Sequence, residues 1–171
     1  MKYESASYDV LLKDGDYEIR RYHPMILAKT KERSLSGAYG FNEIFNYISK
    51  DNDKNQKISM TTPVINDLHQ TSPISTAFVM PKAYTIDTLP TPNSSNTQLV
   101  TVKERVMAIV RFSQSVDPKR IFEQQQRLLE WIEKRNLKVI SDFMLARYNP
   151  PFIPGFLKRN EIMVEIDQTN G

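Results

Sequence analysis

Hydrophobic and polar positions alternate, drift to a helical spacing and alternate again, and the cycle runs twice along the chain. Over residues 17–22 (YEIRRY), Tyr17, Ile19 and Arg21 share one face and Glu18, Arg20 and Tyr22 the other, which predicts a strand that resumes after Pro24 over 25–30. Phe41, Ile44, Phe45 and Ile48 then recur at helical spacing, with Ser34 or Ser36 placed to cap the helix. Residues 51–56 form a polar turn. Strands are predicted at 57–64, closed by Pro63, and at 74–80, closed by Pro81.

The second cycle opens with an alternating stretch over 99–112, read as one strand. Asp117-Pro118 is a strong helix start, because Asp accepts a bond from a free backbone N–H and Pro is preset for the first turn. Ile121, Gln125, Leu128, Leu129 and Ile132 mark one face of that helix, and Asn136 can stop it. Strands follow at 139–148, ended by Asn149-Pro150-Pro151, and at 161–166. Each half therefore reads strand, helix, strand, strand, with Pro63 and Pro150 in corresponding places. The pseudo-repeats cover about 8–81 and 99–167, joined by a turn-rich connector over 82–98. Neither half could easily build a core alone, so residues 1–171 are expected to form a single domain. The pattern predicts an α+β fold: a strongly curved antiparallel sheet carrying one helix from each half. Two halves related by a pseudo-two-fold axis would leave a ligand groove between them.

Composition narrows the chemistry. The chain has 171 residues and no cysteine, which excludes disulfides, thiolate catalysis and cysteine metal ligands, and suits a reducing cytoplasm. The N-terminal MKYESASYDV carries no signal-like apolar run, and no stretch approaches the roughly 18 apolar residues that span a bilayer. The net charge of +3 is small and dispersed, so a nucleic-acid footprint is not expected.

Five segments, in order and in spacing, resemble the SOUL haem-binding family. They are Tyr17 to Tyr22; Gly40-Phe41 with Tyr47-Ile48; KISMTTPV at 57–64; Phe78-Val79-Met80-Pro81; and Tyr148-Asn149-Pro150-Pro151 with Arg159-Asn160-Glu161. The resemblance runs from about Tyr8 to Ile166. It implies a distorted antiparallel β-barrel flanked by two helices, built from a duplicated β-α-β-β unit, and non-enzymatic binding of haem or a related tetrapyrrole in a hydrophobic cleft. The family is also similar to gyrase-inhibitor-like effector-binding domains, which hold small molecules in the groove between their repeats. Some family members are thought to ligate iron through a histidine near the first helix. Here Ala38-Tyr39-Gly40-Phe41 has none, so haem is expected without a histidine axial ligand, held by apolar contact and by basic side chains at the propionates.

On this reading Tyr39, Phe41 and Met60 form the ligand wall and Lys57 meets a propionate. Glu161 is the most interesting acid. Facing the groove, it would attract a cationic or amphipathic compound, which is the alternative reading, an effector-binding module. Buried with a raised pKa, it could activate water in a hydrolase. The plainer account pairs it with Arg159 or Arg147. The two histidines, His23 before Pro24 and His69 in a polar segment, read as surface or turn residues. Asp51 to Asn55 resembles the start of a calcium loop, but Gln56 stands where such a loop needs Gly, and Thr62 where it needs Glu. No catalytic residue and no metal ligand is assigned. PPFIPGFL at 150–157 is read as a loop folded onto the barrel rather than a flap or an exposed patch. Protein partners are not legible.

Overall fold

A computed structural model describes residues 3–150 and 152–168, so Pro151 of the proline-rich segment lies outside the described residues. In chain order the elements are β1 (Glu4–Ser5), β2 (Tyr8–Asp14), β3 (Tyr17–Tyr22), β4 (Met25–Lys31), α1 (Ala38–Ile48), β5 (Thr61–Thr62), β6 (Val64–His69), β7 (Ser72–Pro73), β8 (Ser75–Val79), β9 (Thr97–Val102), β10 (Arg105–Phe112), α2 (Pro118–Lys134), β11 (Met144–Arg147) and β12 (Asn160–Glu165), with a short 3-10 turn at Gly155–Leu157.

The main sheet is antiparallel and runs β2-β3-β10-β12-β11-β6-β8-β4-β9. Its ends are tied together by the chain itself. β3 passes through His23-Pro24 into β4, and β9 passes through Lys103-Glu104 into β10, so β3–β10 and β4–β9 are two stretches of one bent ribbon. The sheet must therefore curl, and with two helices packed on it the fold is an α+β half-barrel.

The order reads alike from either side of the central β11–β6 pair, and the registers match. Lys29 opposes Ala77 as Arg111 opposes Glu161, and Leu27 opposes Val79 as Ile109 opposes Met163. Leu27 opposes Val100 as Ile109 opposes Glu18, and Met25 opposes Val102 as Met107 opposes Arg20. The duplicated unit thus interlocks, because each half lends a strand to the other's end of the sheet.

Period-2 and period-3.6 patterns place the core. α2 buries Ile121, Gln125, Leu128, Trp131 and Ile132 against Ala108, Val110, Leu145, Ile162 and Val164. Its start is as expected: the Asp117 carboxylate accepts from the Arg120 N–H at 2.8 Å, and Pro118 opens the helix. α1 covers Ala28, Phe78, Met80 and Ile58 with Ile44, Tyr47 and Ile48. Phe45, expected on that buried stripe, is largely exposed and Tyr47 takes its place. Gly37, at φ 82°, starts α1, and the free N–H groups are shared out: Ser36 Oγ accepts from Ala38, Ser34 Oγ from Tyr39, and the Glu32 carboxylate from Gly40. A Cβ at Gly40 would run into Glu32 and Thr76, so glycine there sets how closely α1 lies on β8.

Four expectations are corrected. The stretch 99–112 is two strands, because Lys103 and Glu104 make the ribbon's bend. The strand expected over 57–64 is reduced to Thr61–Thr62, and Pro63, after a cis peptide bond, separates that short β5 from β6, the strand whose register matches β11. Pro150 instead follows β11, so the two prolines do not correspond. Residues 139–143 all lie outside β11, and β2, with its exposed Val10 and Leu11, had no apolar alternation to announce it.

Candidate functional site

The sequence places a ligand groove between the two halves, and the halves meet on the face of the sheet turned away from the helices. That face is packed instead. Tyr22, Leu27, Ile65, Ala77, Val79, Met107, Ile109, Met144, Ala146 and Met163 form one buried cluster there. Met, Ile and Leu side chains from both halves reach across the curled sheet and fill its centre.

At one end of this interior lies a buried ionic network. Arg20 and Glu161 are both fully buried. The Arg20 Nη1 and Nη2 groups donate to Glu161 Oε1 and Oε2, each at 2.8 Å, a bidentate pair between β3 and β12. Arg20 Nε donates to Glu18 Oε1 at 3.1 Å and Nη1 to the Tyr22 hydroxyl at 2.8 Å. Arg159 donates to Glu161 Oε2 through Nε and Nη2 at 3.1 and 3.0 Å, and its guanidinium lies 3.7 Å from the centre of the Tyr148 ring. Burial pushes the Glu161 carboxyl up, but the hydrogen bonds and charges of Arg20 and Arg159 outweigh it and hold the group below its ordinary value. Burial also pushes the Tyr22 hydroxyl up to about 12. A carboxylate so engaged stays ionised and has no free lone pair facing solvent. It is suited to neither proton abstraction nor capture of a cation.

Room for a ligand lies instead along the β4–β9 arm, in two recesses. The first, about 530 Å³, is walled by Ala6, Pro24, Met25, Ile26, Val79, Met80, Pro81, Tyr84, Ile86 and Val102, with His23, Lys82 and Lys103 among its polar members. One wall is the N-terminal strap, held by Glu4 accepting from the Lys82 N–H at 2.8 Å and by the Ala6 N–H donating to Thr62 O at 3.0 Å. The second, about 450 Å³, lies at the other end of β4 and is lined mostly by polar residues, Lys29, Lys31, Arg33 and Tyr39 among them.

Comparison with known proteins places this architecture. The profile of the SOUL heme-binding protein family matches residues 3–165, nearly the whole chain. The chain belongs to the SOUL family. Among curated proteins, none matches the sequence significantly. Similar solved structures include the C-terminal domain of EcmrR (TM-score 0.64, 10% identity, 94% of this chain and 98% of that one) and a hydrolase from Listeria innocua (TM-score 0.61, 8% identity, 92% and 94%). EcmrR in its complex with DNA aligns over 88% of this chain and 57% of its own (TM-score 0.66, 9% identity). At these identities the likeness is one of fold alone.

The family implies haem, and the larger recess of this SOUL chain fits such a group. Its wall is apolar on most sides, its volume lies in the usual range of about 300–1,000 Å³ for small-molecule sites, and Lys82 and Lys103 are the cations able to meet carboxylates. His23 lies on the wall, but its Nε2 is 3.1 Å from Asp9 Oδ2.

The five residues singled out from the sequence do not converge. Tyr39 lines the polar recess. Phe41 stacks on Phe45 at 5.8 Å and packs against Phe78 at 5.2 Å, while Met60 packs at the edge of the α1 core. Lys57 is exposed beyond the turn that follows α1, and Glu161 sits in the network. Of the two arginines weighed for Glu161, Arg159 pairs with it, whereas Arg147 donates to Asn66 Oδ1 and to Ser36 O. The calcium-like turn is held by Asn52, whose amide donates to Tyr47 O and Gln56 O, and among the described residues no acidic or histidine group is arranged to hold a metal. The loop expected to fold onto the barrel turns outward: Phe152 is 83% exposed and Phe156 70%. Of the residues lining the larger recess, Met25 and Val102 were not singled out from the sequence, although Pro24-Met25 places a methionine at the start of a strand.

Proposed function

We propose that this protein binds haem or a related tetrapyrrole without chemistry on it, as a carrier, buffer or sensor, and that the ligand enters the apolar recess between the N-terminal strap and the β4–β9 arm. The observation that carries this reading is the joining of a largely apolar wall (Met25, Ile26, Val79, Met80, Val102) with two cations (Lys82, Lys103) in one space of about 530 Å³. A planar macrocycle would be held by burial of its faces, and its carboxylates by the lysines. The reading includes no histidine ligand: His23, on the wall, is engaged with Asp9. The cationic-effector and hydrolase readings both need a free Glu161, which Arg20 and Arg159 occupy. Absence of cysteine supports a reducing, cytoplasmic setting, and the dispersed charge supports a small-molecule partner rather than nucleic acid. No helix among the described residues is long and apolar enough to cross a membrane.

Titration with haemin, followed at the Soret band, and with iron-free protoporphyrin IX, followed by fluorescence, tests this. Both should bind, within about tenfold of each other, because contact with the ring supplies most of the affinity. Val102→Trp should fill the recess and abolish both. Unchanged titrations in Val102→Trp, with its fold verified by circular dichroism, would sink the assignment.

A further inference from the structure

We propose that the polar recess at the far end of β4 is a second binding site, which takes a small organic phosphate. The proposal is independent of the tetrapyrrole reading. Lys29 and Lys31 stand on one face of β4, with Ser75 on β8 and Gln98 and Val100 on β9 beside them. Arg33, Tyr39, Ser95 and Asn96 complete the lining. Lys29 already has a counter-ion, Asp67, at 2.5 Å. Lys31 and Arg33 form no ion pair with any described residue. The one carboxylate between them in sequence, Glu32, is consumed elsewhere, by the N–H groups of Ser34 and Gly40 and the hydroxyls of Ser34 and Thr76.

Two uncompensated cations in one recess call for a dianion. A phosphate monoester carries about −1.5 to −2 at neutral pH with three strong acceptor oxygens, whereas a carboxylate answers only one of the two. The recess, about 450 Å³, is far larger than a phosphate, and its remaining wall suits an organic group. The Arg33 guanidinium lies 4.7 Å from the Tyr39 ring centre, a flat cationic and aromatic platform, and Val100 adds an apolar floor. Register explains why the space exists. Val100 stands where the other half has Glu18, and continuing the match by two residues sets Ser75 against Arg159. Short side chains here replace the long charged ones that fill the matching volume.

The experiment is an amide-resolved NMR titration of the full chain, free of haem, with phenyl phosphate, inorganic phosphate and benzoate. Phenyl phosphate should give saturable shifts confined to residues 29–33, 39 and 95–100. Lys31→Ala and Arg33→Ala, both at exposed positions, should each weaken it about fivefold, the loss of one charge-assisted contact. Lys54→Ala, at an exposed turn outside the lining, should leave it unchanged. Tyr39→Leu should weaken phenyl phosphate more than inorganic phosphate. Shifts that never saturate, equal losses in Lys54→Ala and Arg33→Ala, or benzoate binding as tightly as phenyl phosphate would overturn the proposal. Haemin titration of Arg33→Ala should match the parent, so a failure here is separable from a failure of the tetrapyrrole site.

Discussion

The two arms of the curled sheet put the same register to opposite use. On the β3–β10–β12 arm the inward positions are Glu18, Arg20 and Glu161, and the protein fills the space with its own ions. On the β8–β4–β9 arm the matched positions are Val100, Val102 and Ala77, and two recesses remain beside them. A buried bidentate pair tolerates little rearrangement, because either partner alone is an uncompensated charge in a poor solvent. Small apolar side chains leave no such debt and can face a guest. Duplication thus yields, from one template, one arm closed by buried ions and one arm with open recesses.

Breaking the ion-closed arm should have the largest effect. Glu161→Ala leaves Arg20 buried and without its bidentate partner, and should cost about 3–5 kcal/mol in urea unfolding. Val102→Ala, at the site matched to Arg20 but half-buried and apolar, should cost roughly 1 kcal/mol. Equal costs would mean that the two arms are not differently built.

Acid should act on the same arm, with a smaller effect, since protonation leaves the Glu161 side chain in place. Its folded pKa is depressed, because the pull of Arg20 and Arg159 exceeds the cost of burial. The unfolded chain therefore takes up the proton first. The contribution is present above the unfolded carboxylate value of 4.5 and is lost as pH falls below it toward the folded value. Denaturant midpoints measured from pH 7 down to 3 should fall more steeply below 4.5 for the parent than for Glu161→Gln. Parallel curves would remove Glu161 from the acid response.

How far all this was legible depends on the range of the interaction. The Tyr17–Tyr22 alternation, the Asp117-Pro118 helix start and the duplicated order follow from neighbours in sequence and were readable. The break at Lys103-Glu104 was not, since the alternation runs straight through it and only the pairing with Tyr22 and Met25 bends the ribbon there. Arg20 and Glu161 are 141 residues apart, so their pairing waits on strand order. The same holds for the recesses. Met25, Val79 and Val102 come from three strands, and no local pattern marks them as lining rather than core. The pairing of Glu161 with its neighbour Arg159 was legible from their closeness in sequence, whereas nothing local placed Arg20 on the same carboxylate or Tyr39 beside a polar recess.

The smallest of these effects sharpens the comparison at the helix starts, where the two units again solve one problem differently. α2 relies on one side chain, Asp117, which accepts from the Arg120 N–H at 2.8 Å. α1 begins at a left-handed glycine and divides its free N–H groups among Ser36, Ser34 and Glu32. Loss of a sole cap exposes the whole deficit, whereas loss of one member of a set is softened by the others. Asp117→Ala should therefore cost about 1 kcal/mol, and Ser36→Ala, whose bond to the Ala38 N–H is a long 3.3 Å, no more than about half that. Chemical denaturation of both variants measures the difference. A Ser36→Ala penalty as large as that of Asp117→Ala would mean that the α1 start hangs on a single hydroxyl, and that Glu32, although bonded to the Gly40 N–H at 2.7 Å, does not share the load.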